Sequence, residues 1–184
     1  KWAGKTVHFA RETDSTNLWG KRAWREEGAG HGELFVAEYQ SAGRGRFTRR
    51  WSAPPDSAIT MSILICPEFS PQKAPMLTLV MGLSVAQAVA ELGLEVGIKW
   101  PNDVVVSRKK ICGILTEMTM KQDKIGCAVI GVGINVNMES FPEETADKAT
   151  SLYLESGHPF DRAQVVGLVM KHFEENYERF VQTE

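Results

Sequence analysis

The sequence predicts an α+β fold: one sheet with helices grouped around it and covering one face. Three observations carry that expectation. Four β-rich runs follow one another between residues 96 and 136. Two other runs, residues 71–92 and Val165 to Phe180, have the length and spacing of helices. The 184 residues, 43% of them apolar, suit one domain with a substantial core, and no internal repeat divides them.

Residues 6–10 read as a short strand. Asp14, Ser15, Thr16 and Asn17 are capping types, so a helix should follow, with Leu18, Trp19, Ala23 and Trp24 as apolar positions and Gly28 as its stop. Residues 33–38 read as a second strand. Residues 40–55, rich in Gly, Ser, Arg and Pro, keep no period and read as a long loop. Residues 58–66 are β-rich. Ser70-Pro71 is a cap and first-turn pair that opens a helix to about Leu92, with Gly93 behind it. Met76, Leu77, Leu79, Val80, Leu83, Val85 and Val89 make that helix apolar nearly all round, so it should be buried. Strands are expected over residues 96–100, 104–107, 111–119 and 125–136. Val165, Leu168, Val169, Phe173, Tyr177 and Phe180 then give an amphipathic last helix.

A net charge of -2 argues against a chain that coats nucleic acid or membranes through charge alone. No apolar run approaches the roughly 20 residues a bilayer span needs, and no secretory signal is visible. A cytoplasmic protein is therefore expected. Cys66, Cys112 and Cys127 are scattered and odd in number, as for reduced small hydrophobes. His8, His31, His158 and His172 have no metal-ligand spacing, so no metal held by protein side chains is expected. The first residue is Lys1 rather than Met, so upstream sequence is expected.

The chemistry concentrates in Gly43-Arg44-Gly45-Arg46-Phe47-Thr48-Arg49-Arg50-Trp51. Four arginines fall within seven residues, with no acidic residue from Gln40 to Pro55. Glycines let backbone approach a ligand, and guanidinium forks suit carboxylate and phosphate oxygens. Phe47 and Trp51 could shield a site from water. Without further context, a solvated basic loop or a nucleic-acid contact fits equally well.

Three later segments change that balance. They are Lys99-Trp100-Pro101-Asn102-Asp103, Lys110-Ile111-Cys112-Gly113-Ile114-Leu115-Thr116-Glu117 and Gly131-Val132-Gly133-Ile134-Asn135-Val136-Asn137. Together with the arginine loop, in this order, they resemble the G-R-G-R-x-x-R-x-W, K-W-P-N-D, K-x-x-G-I-L-x-E and G-x-G-x-N-x-N motifs of the biotin–protein ligases, of bacterial type. The likeness runs from Glu12 to Leu152.

That resemblance implies a mixed, mostly antiparallel sheet covered by helices, the class II aminoacyl-tRNA synthetase-like fold of biotin–lipoate ligase catalytic domains. It implies one catalytic domain over residues 1–184, without the N-terminal winged helix and C-terminal β-barrel that many members add. It implies ATP-dependent formation of biotinyl-5'-adenylate, with Mg²⁺ on the nucleotide, then transfer of biotin to a lysine of a biotin carboxyl carrier protein. A homodimer is possible, and DNA becomes a partner only through an upstream winged helix, which would make the full-length protein a transcriptional repressor.

By position, the resemblance assigns Ser15, Thr16, Asn17, Gln40, Arg44, Gly45, Arg46, Trp51, Lys110 and Gly113 to biotin. It assigns Arg44, Arg46, Arg49, Trp51, Asn102, Lys110 and Asn135 to ATP. Lys110, Asp103 and Arg46 are the expected catalytic groups. Gly113, Gly131 and Gly133 could equally serve tight packing alone. Phe47-Thr48 departs from bacterial relatives, which often place a small residue before the third arginine; the loop backbone should feel it. Neither a P-loop nor a Rossmann fingerprint occurs, so ATP must be held otherwise. The rival readings are a lipoate–protein ligase or octanoyltransferase of the same fold, and a nucleic-acid-binding module.

Overall fold

The computed structural model describes residues 1–183. Its single sheet has seven strands: β1 (Val7–Thr13), β2 (Leu34–Gln40), β3 (Ala58–Ile65), β4 (Val96–Lys99), β5 (Asp103–Val106), β6 (Lys109–Lys121) and β7 (Lys124–Asn135). Their order is β1-β2-β3-β7-β6-β5-β4. β1 and β2 run parallel and every other pair antiparallel, so the sheet is mixed and mostly antiparallel. A parallel pair needs a crossover. Here α1 (Thr16–Arg22) and a π-helical turn over Ala23–Glu27 supply it, closed by Gly28 at φ 74.

The helices lie on both faces, not on one as expected. β3 shows why. Ile63 and Ile65 join the main core under α2 (Met76–Glu91) and α4 (Arg162–Gln182). Leu64, between them, joins Phe35, Cys127 and Val129 on the other face, under α1. β3 is buried at every position, and a run of apolar residues without alternation is the mark of a strand covered twice.

Residues 71–92 do not form one helix. Ser70 caps a 3₁₀ turn over Pro71–Lys73, and α2 starts only at Met76. Pro75 has no amide hydrogen to bond back to Pro71, so Ala74 N–H closes a tighter turn on that carbonyl at 3.1 Å. Contrary to the expectation that no apolar run approaches that length, the stretch Pro71–Glu91, with mean hydropathy 1.4, is long and apolar enough to cross a membrane. In this fold α2 instead packs on α4 and on β4 to β7, with Leu77, Met81, Val85 and Val89 buried.

α4 is amphipathic as its spacing predicts. Val165, Val169, Phe173 and Tyr177 recur every four residues and are buried, and Asp161 caps the helix through Ala163 N–H at 2.9 Å. Each such side chain contributes about 1.5–3 kcal/mol of burial. Phe173→Ala would cost about 3–5 kcal/mol. Tyr177 also touches Trp2 and His31, and burial pushes its hydroxyl up to about 12. A short α3 (Leu152–Ser156), capped by Ser151, had no signal strong enough to predict.

Candidate active site

The site lies on the α1 face of the sheet, and its floor is made of glycine. Gly131 and Gly133 of β7 face α1, and Gly113 of β6 pairs with Gly133. A Cβ at Gly131 would sit 2.5 Å from Asn17 Oδ1. One at Gly133 would sit 2.4 Å from the Trp51 indole, and one at Gly113 would meet the Lys110 ammonium at 3.1 Å. These glycines do pack tightly, but what they admit are the side chains assigned to the ligand. Positions two apart on a strand are spaced about 6.6–6.8 Å. Asn17 and Trp51 therefore sit one such step apart along β7, and Lys110 lies beside Trp51 over β6.

One end is neutral and densely hydrogen-bonded. Gln40, the last residue of β2, turns its Oε1 to the Thr16 amide at 2.8 Å and to Thr16 Oγ1 at 3.2 Å. Ser62 Oγ lies 2.7 Å from Thr16 Oγ1 and 2.5 Å from Asn17 Oδ1. Asn17 Nδ2 donates to Leu115 O at 3.2 Å. Ser15 caps α1 by accepting from Leu18 N–H and also lines the pocket. Asp14, beside it, receives both Arg22 guanidinium nitrogens, at 2.7 and 3.0 Å, which holds its carboxyl below the usual range. Thr16, Asn17 and Ser62 are buried, so this network is rigid.

The other end is cationic. The expected irregular loop is in part a small hairpin: Arg44 bridges Arg50, Trp51 N–H donates to Gly43 O, and Gly45 N–H donates to Arg49 O. Gly43 is required, because a Cβ there would meet Trp51 O at 2.2 Å. At the tip Phe47 and Thr48 sit at φ 54 and 63. Two successive left-handed residues make the turn that hairpin twist favours, but with side chains that resist it. Arg44 Nη2 reaches Glu117 Oε1 at 3.1 Å, and Arg46 Nη1 donates to Asn102 Oδ1 at 3.1 Å. Lys110 Nζ, at the start of β6, faces Asp103 Oδ1 at 3.0 Å. Arg44, Arg46, Asn102 and Lys110 all line the pocket.

Two expected residues stand apart. Arg49 is exposed on the far limb of the hairpin and does not line the pocket. Asn135 is buried, and its Nδ2 donates to the carbonyls of Lys110 and Thr150. It braces the strand that carries Lys110. Three residues without a sequence-based role join the site: Ser62, Glu117, and Lys21, which ion-pairs with Glu117. Glu117 stood within a recognised motif. Ser62, one of two polar residues with Thr60 in the otherwise apolar run of β3, was a signal of its own.

With Trp51 in place the pocket encloses only about 60 Å³. A larger groove of about 810 Å³ opens between β1, β2 and α4 on the opposite face. The chemistry gathers in the smaller one, where polar groups converge.

Residues 9–135 match the family model described as the biotin/lipoate A/B protein ligase family. The chain belongs to that family. Among curated relatives of this biotin/lipoate ligase chain, the bifunctional ligase/repressor BirA of Bacillus spizizenii is 43% identical over 156 residues, 83% of this chain and 48% of that protein. The biotin–[acetyl-CoA-carboxylase] ligase of Mycobacterium tuberculosis is 36% identical over 78% of this chain and 53% of that protein. The chain thus spans about half the length of the curated relatives it matches. In structure it is similar to the biotin protein ligase from Aquifex aeolicus solved with biotin and ATP, with TM-score 0.81, 37% identity, and coverage of 96% of this chain and 72% of that one. The biotin/lipoate ligase family thus accounts for the fold and for the order of the motifs.

Proposed function

We propose that the chain is the catalytic domain of an ATP-dependent biotin–protein ligase. It would join biotin to ATP as biotinyl-5'-adenylate and transfer biotin to a lysine of a biotin carboxyl carrier protein. The observation that carries this reading is the polarity of the pocket. Neutral donors and acceptors from Thr16, Asn17, Gln40 and Ser62 stand at one end, and Arg44, Arg46 and Lys110 at the other. Biotin has that polarity: a neutral ureido ring joined by an apolar chain to a carboxylate.

In the first half-reaction the carboxylate attacks the α-phosphorus and pyrophosphate leaves. Lys110, Arg44 and Arg46 bring two anions together and stabilise the charge that builds on phosphate. Among the described residues, no three of His, Cys, Asp and Glu stand close enough to hold an ion. Mg²⁺ would therefore arrive on the nucleotide. In the second half-reaction an incoming lysine, with an ordinary pKa of about 10.4, must lose its proton. Asp103, which ion-pairs with Lys110 and follows Asn102 in the chain, would be the group that helps. Arg49 and Asn135 would serve ATP only indirectly, through the hairpin and through Lys110. A cytoplasmic location belongs to this reading, and DNA would be a partner only through an upstream winged helix.

Pyrophosphate release from ATP, measured with biotin and with lipoate as the carboxylate, tests it. Biotin-dependent release with at least tenfold preference is expected. Preference for lipoate would move the chain to the other branch of its family, and release with neither would remove the activity from this domain.

A further inference from the structure

One carboxylate ties the arginine hairpin to the rest of the molecule, and none of the roles assigned so far includes it. Glu117 stands on β6 facing α1, its side chain only 13% exposed. Its Oε2 meets Lys21 of α1, and its Oε1 meets Arg44 Nη2 at 3.1 Å. Oε1 is buried and, apart from that ion contact, has no hydrogen-bond partner. The hairpin carries four arginines and no acid of its own. Its other side-chain tie at this end, Arg46 to Asn102, joins a charge to a neutral amide.

We propose that Glu117 is the catch that holds the arginine hairpin shut. Lys21 satisfies its other oxygen whether the hairpin is shut or open, so the carboxylate stays charged when Arg44 leaves. An unsatisfied buried carboxylate would be costly, which is why the second cation belongs to the body of the fold and not to the moving part. Arg44 has five N–H donors in a fixed fork. Held by one nitrogen against Glu117, it lines the pocket with donors left over for a ligand. Glu117 is thus a positioning residue: it acts on the ligand through Arg44. The consequence for retention of an acyl-adenylate rests on the ligase reading above; the catch itself does not.

The test reads hairpin opening in the ligand-free protein, by chymotrypsin cleavage after Phe47, which is 79% exposed at the tip. Glu117→Gln should be cleaved several-fold faster than the parent. Arg44→Gln should show the same gain, and the double variant no more than either alone. Lys21→Met leaves the Glu117–Arg44 contact intact and should not speed cleavage. Raising salt from about 0.05 to about 0.5 M should speed cleavage of the parent but not of Glu117→Gln. Unchanged cleavage in Glu117→Gln, additive effects in the double variant, or acceleration in Lys21→Met would each overturn the proposal. If Glu117→Gln does not fold, Arg44→Gln, whose side chain is half exposed, carries the comparison with Lys21→Met. In a second arm, dissociation of biotinyl-adenylate from Glu117→Gln should be several-fold faster. A chain that makes no adenylate would sink the ligase reading and leave the cleavage result to judge the catch.

Discussion

Lys110 Nζ and Asp103 Oδ1 lie 3.0 Å apart where β5 meets β6, so the two groups expected to act in different half-reactions neutralise one another. The contact is an ion pair without a directed hydrogen bond. An anion entering the cationic end competes with Asp103 for Lys110. On the proposed ligase reading, that competition would free the Asp103 carboxylate for an incoming amine, and one contact would order the two steps.

Lys110→Ala should lower adenylate formation by about 10²-fold or more, since a cation facing two anions in a water-poor pocket acts where charge develops. Lys110→Arg should restore only part, because a planar fork does not reproduce a point charge. Pre-steady-state pyrophosphate release measures both. A near-normal rate in the alanine variant would shift the role elsewhere, with neighbouring Lys109 next in line.

Asp103→Asn should separate the half-reactions. Transfer from preformed adenylate to a carrier domain should fall by about 10²–10⁴-fold, the range of general-base assistance, while adenylate formation falls less. If Asp103 only shaped the turn that opens β5, both steps would drop together with the melting temperature. Single-turnover transfer measured beside a thermal melt decides the matter.

Gly133→Ala should disable the pocket from beneath. Its methyl would overlap the Trp51 indole, and the ring must leave for the backbone to stay. Biotin affinity should fall at least tenfold by isothermal titration, with far-UV circular dichroism preserved. Gly131→Ala strikes the Asn17 network instead and should also destabilise the fold by about 1–3 kcal/mol through unpaired buried amides. Unchanged affinity in both variants would show that the floor has slack.

Arg46→Gly removes the 3.1 Å tie to Asn102 and one cation from the pocket. Adenylate should escape faster while its formation changes less, since Lys110 remains beside the reacting atoms. Labelling of bystander lysines in a protein mixture reads the escape. An unaltered residence time of the intermediate would contradict it.

Glu38→Gln tests the joint between α4 and β2. Arg162 donates to both Glu38 oxygens, at 2.7 and 3.2 Å, and this holds the carboxyl below its ordinary value of 4.5. A depressed carboxylate stabilises the fold above its ordinary pKa, and that stability is lost as pH falls through the lower folded value. At pH 7 the variant should be less stable by about 1–3 kcal/mol, as for a charged hydrogen bond. The gap should narrow below about pH 4. Urea unfolding at the two pH values gives the answer, and a gap independent of pH would break the link.

Local pattern carried the elements well and their layering poorly. β6, β7 and α4 were legible because long runs of β-branched or four-residue-spaced side chains outweigh local noise. The second covered face was not, because Leu64 and Ile65 are equally apolar and only tertiary contact shows that they point to different cores. In the site, Lys110 and Arg46 stood in motifs whose residue types carry their own chemistry. The two carbonyl bonds of Asn135 were not legible, because an amide looks the same in sequence whether it faces a ligand or two carbonyls. Glu117 went unassigned because its partners, Lys21 and Arg44, are 96 and 73 positions away along the chain.

The tip of the hairpin sets a tempo. Phe47 and Thr48 both occupy backbone geometry that glycine or asparagine would adopt with little effort. Such residues cost on the order of 1 kcal/mol or more each. That cost falls on the formed hairpin and vanishes when the strip comes undone, so the gap between covered and uncovered pocket is thinner than its contacts imply. Strain at the tip therefore works against the Glu117 contact and favours reopening. If the chain hands an intermediate to a partner, as proposed, the time for which it is held is set in part by Phe47 and Thr48.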